Sequence, residues 1–436
     1  MNDRLIADTV CSVPFLSMSL RNSGSFRLCC AAIEREILKN DGSAFIAGRD
    51  SVASAWNSDD IKQIRLDLAA GKKPEYCSSC WKKEEIGHRS RRQTENKRYS
   101  EEIKGIIEKS VAAGGVVDNQ VHYFELRLGS FCNLKCRTCG PHASTSWLSE
   151  LTANKDDPLI SSSTYYSHFL QEDFPRVNNK EQYAACLAVI EENQTGLKEL
   201  RILGGEPLIH PGFLPLLKKL IHQGLAKNIN LLIVTNLTFV SDEMLATLSE
   251  FKEIRLAASI DAIGARAELI RSQSRWEKID KNWQRVLRYQ PKLRLYVNCT
   301  VSALSIFSIE ETVQYVKQTS IEAGRNDVHF RASRVFEPDV FTLAALPLEM
   351  RLACKDKVLG VLKRTDLSAH ERSDFEALTR LLGEPEKLNN SLLTKKLYNN
   401  IETFDRIRKE NTFEIIPELS ALRGGQSLFS EKFIDV

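Results

Sequence analysis

The chain has 436 residues, 42% of them hydrophobic and 27% charged, which is the balance of an ordinary folded protein of one large domain and one or two smaller ones. Its 60 basic and 57 acidic residues leave a net charge of +3, so bulk charge makes no case for a nucleic-acid or membrane partner. No apolar run approaches the roughly 18 residues that span a bilayer. The N-terminus, with Asp3, Arg4 and Asp8, lacks the apolar core of a signal peptide, and a cytoplasmic protein is expected.

In chain order, residues 1–98 hold five of the 11 cysteines and predict a small α+β unit of short strands, turns and one helix. That helix falls within 54–68, where Trp56, Ile61, Ile64, Leu66 and Leu68 keep helical spacing. Residues 99–120 predict a short helix running out at Ala112-Ala113-Gly114-Gly115, a linker. From 121 the pattern alternates. Strands are expected at 122–129, 198–203, 230–235, 254–260, 293–301 and 327–332, and helices at 143–151, 180–193, 212–223, 241–251, 276–289 and 308–323. Alternation of this kind predicts a parallel sheet with right-handed crossovers, and six units fit a partial (β/α)6 barrel over 121–336. Residues 153–178 interrupt the first unit as an insertion, and 337–436 predict a helical extension with helices at 347–363, 371–382 and 391–408.

The first barrel strand runs into Phe131-Cys132-Asn-Leu-Lys-Cys136-Arg-Thr-Cys139-Gly140. The loop leaves the carboxyl end of a parallel strand, where barrel enzymes carry their chemistry. Three thiolates on so short a loop can converge on one iron–sulfur cluster and leave one iron open to a small molecule. A zinc site would need a fourth ligand, for which only His142 is near, and three unrelated buried cysteines are the remaining alternative. Further on, Gly204-Gly205-Glu206-Pro207 ends the second strand, Thr235-Asn236 the third, and Ser259-Ile260-Asp261 the fourth. Singly these read as turns or helix caps. Cys186, Cys299 and Cys354 stand alone and are expected to be small buried residues.

In this order and at these strand ends, residues 121–335 resemble the radical S-adenosylmethionine (SAM) superfamily. The resemblance implies that Cys132, Cys136 and Cys139 hold a [4Fe–4S] cluster whose open iron binds SAM. It implies further that Gly204, Gly205, Glu206 and Pro207 meet the SAM amino group, and that Asn236, Ser259 and Asp261 serve its ribose and carboxylate. Arg271 resembles the arginine that pairs with the SAM carboxylate, a task suited to a planar guanidinium. The superfamily has a hydrophobic or aromatic residue where this chain has Thr138.

Before the barrel, Cys11 opens a CxxPF motif, Gly24 precedes the pair Cys29-Cys30, and Cys77-Ser-Ser-Cys80 follows at a distance. The pattern resembles the auxiliary-cluster module called SPASM, in its shorter twitch form, placed here ahead of the barrel. It implies a second [4Fe–4S] cluster on Cys11, Cys29, Cys77 and Cys80, with Cys30 as the rival of Cys29. A four-cysteine zinc ribbon uses the same CxxC spacing. The stretch from Lys82-Lys83 through Gly87-His88-Arg89-Ser90-Arg91-Arg92 to Lys97-Arg98 is densely basic and reads either as a solvated face or as an anion site at the barrel mouth. Glu125 and Arg127 share one face of the first strand with Gly129; if that face is interior, two charges sit inside the barrel, either as a structural pair or for use.

The resemblance implies reductive cleavage of SAM to a 5′-deoxyadenosyl radical that takes a hydrogen atom from a substrate carbon. The second cluster then serves as electron acceptor in an oxidation of a small polar or anionic molecule, with a flavodoxin or ferredoxin as external donor. Peptide maturation by crosslinking or epimerisation is the alternative, and a zinc-bearing nucleic-acid module a more distant one.

Overall fold

The computed structural model describes residues 8–32, 35–85, 89–118, 120–171, 179–289, 293–383 and 391–424; Gly87 and His88 of the basic stretch lie outside them. Ten strands run in chain order: β1 Ser17–Leu20, β2 Phe26–Arg27, β3 Tyr123–Arg127, β4 Lys135–Cys136, β5 Glu199–Leu203, β6 Asn230–Thr235, β7 Glu253–Ala258, β8 Arg271–Ser272, β9 Leu293–Val301 and β10 His329–Arg334. Eight of them form one sheet in the order β10-β9-β7-β6-β5-β3-β1-β2, parallel except for β2. Each barrel strand adds to the same edge as the one before it, and a helix returns the chain between them, as a singly wound open barrel requires.

Along β9, buried positions alternate with exposed or half-buried ones. Its buried set Leu293, Leu295, Val297, Cys299 and Val301 packs outward against the helices, and the other set faces the lumen. The edge strand β10 is protected. Glu371 of the helix Ala369–Gly383 accepts the N–H of Phe330 at 2.6 Å and the Lys317 ammonium at 2.6 Å, so the open ladder is capped by a carboxylate.

Three features depart from the expectations. The barrel sheet has a seventh parallel strand, because β1 pairs with β3 from Ser17↔Tyr123 to Ser19↔Glu125. The helix expected over 54–68 is two, Val52–Trp56 and Asp59–Ala69, since the Ser58 hydroxyl caps the second by accepting the N–H of Ile61. The short helix expected in the linker segment is Ser100–Ala112, and it buries Ile103 and Ile107. The buried Arg65 then binds the carbonyls of Pro14, Trp56 and Gly115, tying that segment's end to the N-terminal unit. A helix that the pattern missed, Gly264–Ile270, leads into β8.

The insertion and the C-terminal extension make a second, smaller core. Trp147, Leu151, Ile160, Tyr166 and Phe169 pack on Phe404 of the helix Ser391–Arg408. Among the described residues, no helix is long and apolar enough to cross a membrane.

Candidate active site

Cys132, Cys136 and Cys139 lie on the loop after β3, half-buried and close enough to raise one another's thiol pKa. Burial pushes Cys132 up to about 12 and Cys136 higher still, so these thiols ionise only when a cation or metal compensates them. The loop is clamped from both sides. On one side Gly205 donates to Gly129 O at 2.9 Å and Glu206 to Phe131 O at 2.8 Å. A Cβ on Gly205 would stand 2.3 Å from Phe131 O, and one on Gly204, whose φ is +138°, 2.7 Å from Gly129 O. The two glycines therefore let the strand end lie directly against the cysteine loop.

Glu206 is buried, its charge within electrostatic reach of Cys132 on the loop. Its carboxylate accepts Leu208 N at 3.0 Å, Thr235 Oγ1 at 2.8 Å and Asn236 N at 2.5 Å, stitching the ends of β5 and β6 together. Burial drives its pKa up to about 7 against those three donors. Asn236 reaches the loop directly, with Nδ2 3.2 Å from Asn133 Oδ1 and 4.0 Å from Cys132 Sγ. Ser259 is half-buried at the end of β7, its N–H on Thr235 O at 2.8 Å. Pro207 opens the buried turn Pro207–Ile209.

On the other side, β4 within the loop pairs with β8, placing Cys136 opposite Arg271. The Arg271 guanidinium lies 2.9 Å from Asp261 and 3.9 Å from Cys136 Sγ. Asp261 is buried and also accepts Thr300 N at 2.7 Å. A guanidinium held between a carboxylate and a thiol is placed to receive a second carboxylate. Replacing Arg271 with Gln should weaken SAM binding by about tenfold or more, the worth of one charge-assisted hydrogen bond, and leave iron content unchanged. Equilibrium dialysis with labelled SAM checks this, and an unchanged affinity would remove Arg271 from the site.

The second set converges as well. Cys11, Cys29, Cys77 and Cys80 line one small cavity, with Arg91 and Arg92 on its wall. Burial, then Cys29, Cys77 and Cys80, raise the Cys11 thiol far above its usual range. Among the described residues, no three Cys, His, Asp or Glu side chains stand close enough to hold a single ion. Four thiols around one cavity are the ligand number that closes an iron–sulfur cluster or a zinc site, and the two arginines suit thiolates. Cys30 is outside that wall: it is exposed and touches Arg91. His142 stacks on Phe169 with ring centroids 6.0 Å apart. Cys186, Cys299 and Cys354 are buried.

Much of the basic stretch is structural. Arg91 pairs with Glu125 at 2.9 Å, and burial notwithstanding, Arg91 and its neighbours hold that carboxylate down at about 2. Arg92 pairs with Glu84 at 2.6 Å, donates to Val10 O at 2.9 Å and lies over the Trp81 ring. The helix Arg91–Arg98 lies against the lumen face of the sheet, where Glu95 pairs with Arg201 at 2.8 Å and Arg98 with Glu199. The Glu125 partner is thus Arg91 and not Arg127.

A brace that the sequence reading missed holds the cysteine loop from the C-terminal extension. Arg137, between two of the cysteines, is fully buried and pairs with Asp405 and, at 2.6 Å, with Glu410. Arg408 pairs with Glu150 at 2.7 Å and lies 4.6 Å above the Trp147 ring, whose Nε1 donates to Cys136 O at 2.8 Å. The one signal available in sequence was Arg137 itself, a charge inside a cysteine motif.

Residues 126–317 match the family model of the radical SAM superfamily, and residues 11–81 match that of SPASM, an iron–sulfur cluster-binding domain. Residues 126–317 thus form a radical SAM superfamily domain. The SPASM-type segment precedes the barrel, and the two domains together imply [4Fe–4S] clusters and SAM as cofactors. Solved structures similar to this radical SAM chain include Streptococcus suis SuiB bound to S-adenosylmethionine, at 15% identity and a TM-score of 0.38 over 69% of this chain and 63% of that one. SuiB bound to its precursor peptide SuiA matches at 14% identity and 0.36 over 83% and 68%, and anSMEcpe with AdoMet and the Cp18Cys peptide at 15% and 0.36 over 56% and 60%. The chain thus spans less than two thirds of the SAM-bound SuiB and of anSMEcpe. No curated protein matches it.

Proposed function

We propose that this radical SAM protein is a cytoplasmic enzyme that abstracts a hydrogen atom from a small polar or anionic substrate and completes an oxidation. The carrying observation is the asymmetry of its two thiol sets: three on one clamped loop beside the Arg271–Asp261 pair, and four around a separate cavity. Cys132, Cys136 and Cys139 would hold the SAM-binding cluster, and Cys11, Cys29, Cys77 and Cys80 the auxiliary one. When bound, the first supplies the electron that cleaves SAM reductively, and the second an acceptor for the electron that the substrate gives up.

The chain's own residues do the rest. Arg271 orients the SAM carboxylate and Asp261 orients Arg271. Gly204 to Pro207, with Asn236 and Ser259, shape the wall on which SAM lies, and Glu206 keeps that wall rigid. Arg91 and Arg92 offset negative charge around the four thiols. A flavodoxin or ferredoxin is the expected external donor. The test is product analysis: with dithionite, reconstituted protein should turn SAM into 5′-deoxyadenosine slowly without substrate, and Cys136→Ala should form none. Equal amounts from both proteins would sink the proposal.

A further inference from the structure

The lumen carries more positive charge than SAM cleavage needs. Register sets Glu125, Arg201, Leu232, Arg255 and Arg294 in one lateral row. Two residues per step toward the carboxyl ends, the same face presents Arg127 on β3, Tyr296 and Asn298 on β9 and, opposite Asn298, Arg331 on β10. The nearby carboxylates are already engaged. Glu125 is held by Arg91, Glu95 by Arg201, and Glu199 by Arg98, Arg201 at 2.6 Å and Arg255 at 2.8 Å. Asp374, which Arg331 attracts, is turned to the backbone N–H of Ala332. Among the described residues, no carboxylate forms an ion pair with Arg127, Arg331 or Lys83.

Two cations gather at one aromatic ring. Lys83, one turn past Cys80 on the helix Ser78–Glu85, has its ammonium 5.1 Å from the centre of the Phe336 ring. Arg334 at the end of β10 lies 4.7 Å from the same ring, which is 52% exposed. Burial, and then repulsion from Arg334 and Arg331, depress the Lys83 pKa, while Cys80 and Cys30 pull the other way. Cations from two separate parts of the chain therefore face one another next to the auxiliary cavity. Arg127, within electrostatic reach of Cys139, flanks the space from the side of the SAM loop. Lys83 is half-buried and Arg331 exposed, so the repulsion falls on Lys83 and stays unfavourable until an anion joins the pair.

We infer that Lys83, against the Phe336 ring, and the neighbouring Arg331 of β10 form a binding site for an oxyanion, a carboxylate or phosphate carried by the substrate. The inference rests on the proposed function, because the site matters as an anchor for a molecule held between the two thiol sets. Arg331 offers a planar fork that matches either oxyanion, Lys83 a point charge, and Phe336 an apolar wall for the carbon next to the anion. The anchor keeps the basic-stretch expectation alive through Lys83 alone, since Arg91 and Arg92 are spent on structure.

The test is anaerobic calorimetry on the reconstituted full-length protein, with pyrophosphate and with citrate as separate probes. The wild type should bind at least one, and the double variant Lys83→Met/Arg331→Gln should bind it about tenfold more weakly or worse, the loss of two charge-assisted contacts. A tighter pyrophosphate arm assigns a phosphate, a tighter citrate arm a carboxylate. The pair Lys281→Gln/Arg288→Gln, on the exposed face of the helix Trp276–Arg288, is the control and should leave affinity intact. Iron content and thermal unfolding show whether the double variant is folded; if it is not, Arg331→Gln alone takes its place. No binding of either probe, equal affinity in the variant, or loss in the control pair would each overturn the site. Formation of 5′-deoxyadenosine by the same wild-type preparation is read separately, so a failure of the enzymatic reading is distinguished from a failure of the anion site.

Discussion

Anaerobically reconstituted protein should carry about eight iron per chain, and the triple change of Cys132, Cys136 and Cys139 to Ala should leave about four. The two thiol sets are physically separate. One is a loop clamped by Gly205, Glu206 and β8, and the other surrounds its own cavity under Arg91 and Arg92. Emptying the loop removes no wall of that cavity, so the remaining iron should keep its visible absorbance and its paramagnetic signal when reduced. Formation of 5′-deoxyadenosine should disappear altogether. The reciprocal change, Cys11 and Cys80 to Ala, should also leave about half the iron but retain SAM cleavage. Iron and zinc assayed together decide the matter: zinc in place of iron, or loss of both sets after either change, would refute two independent clusters.

Arg137→Met should destabilise the fold by about 3 kcal/mol or more and strip iron from the SAM loop first. The guanidinium is 1% exposed and faces two carboxylates, Asp405 at 13% and Glu410 at 22%. Taking away one partner of such a group leaves like charges together and half-desolvated, which costs more than the intact pair contributed. Each carboxylate keeps other work: Asp405 accepts Thr412 N at 2.7 Å, and Glu410 accepts Ser272 Oγ at 2.6 Å. Because those bonds persist, the extension should stay docked while the cysteine loop loosens. Denaturant titration of the metal-free protein measures the first effect and iron stoichiometry the second. A change below about 1 kcal/mol, the size of a surface ion pair, together with full iron loading would show that Arg137 is not a brace.

What the sequence determined by itself was whatever is written within a few residues. The strand expected at 293–301 is Leu293–Val301 and that at 230–235 is Asn230–Thr235, because apolar–polar alternation in the first and a short β-branched apolar run in the second are both local signals. The helix expected at 391–408 is Ser391–Arg408 for the same reason at a different period. The cysteine loop was legible too, since three thiols within eight residues, Cys132 to Cys139, have little freedom to point apart. Tertiary structure alone decided the pairings across long separations. Nothing near Ser17 says that it will lie beside Tyr123, and nothing near Arg137 names Asp405 or Glu410. The helix Arg91–Arg98, RRQTENKR, has the composition of a solvated surface, yet it lies on the lumen face of the sheet with Glu95 buried. A charge looks the same in sequence whether it faces water or a partner, because the partner that makes burial tolerable is supplied by the fold. Cys29 and Cys30 make the point at closest range: adjacent thiols, one on the cavity wall and one outside it, separated only by the direction that packing gives each side chain.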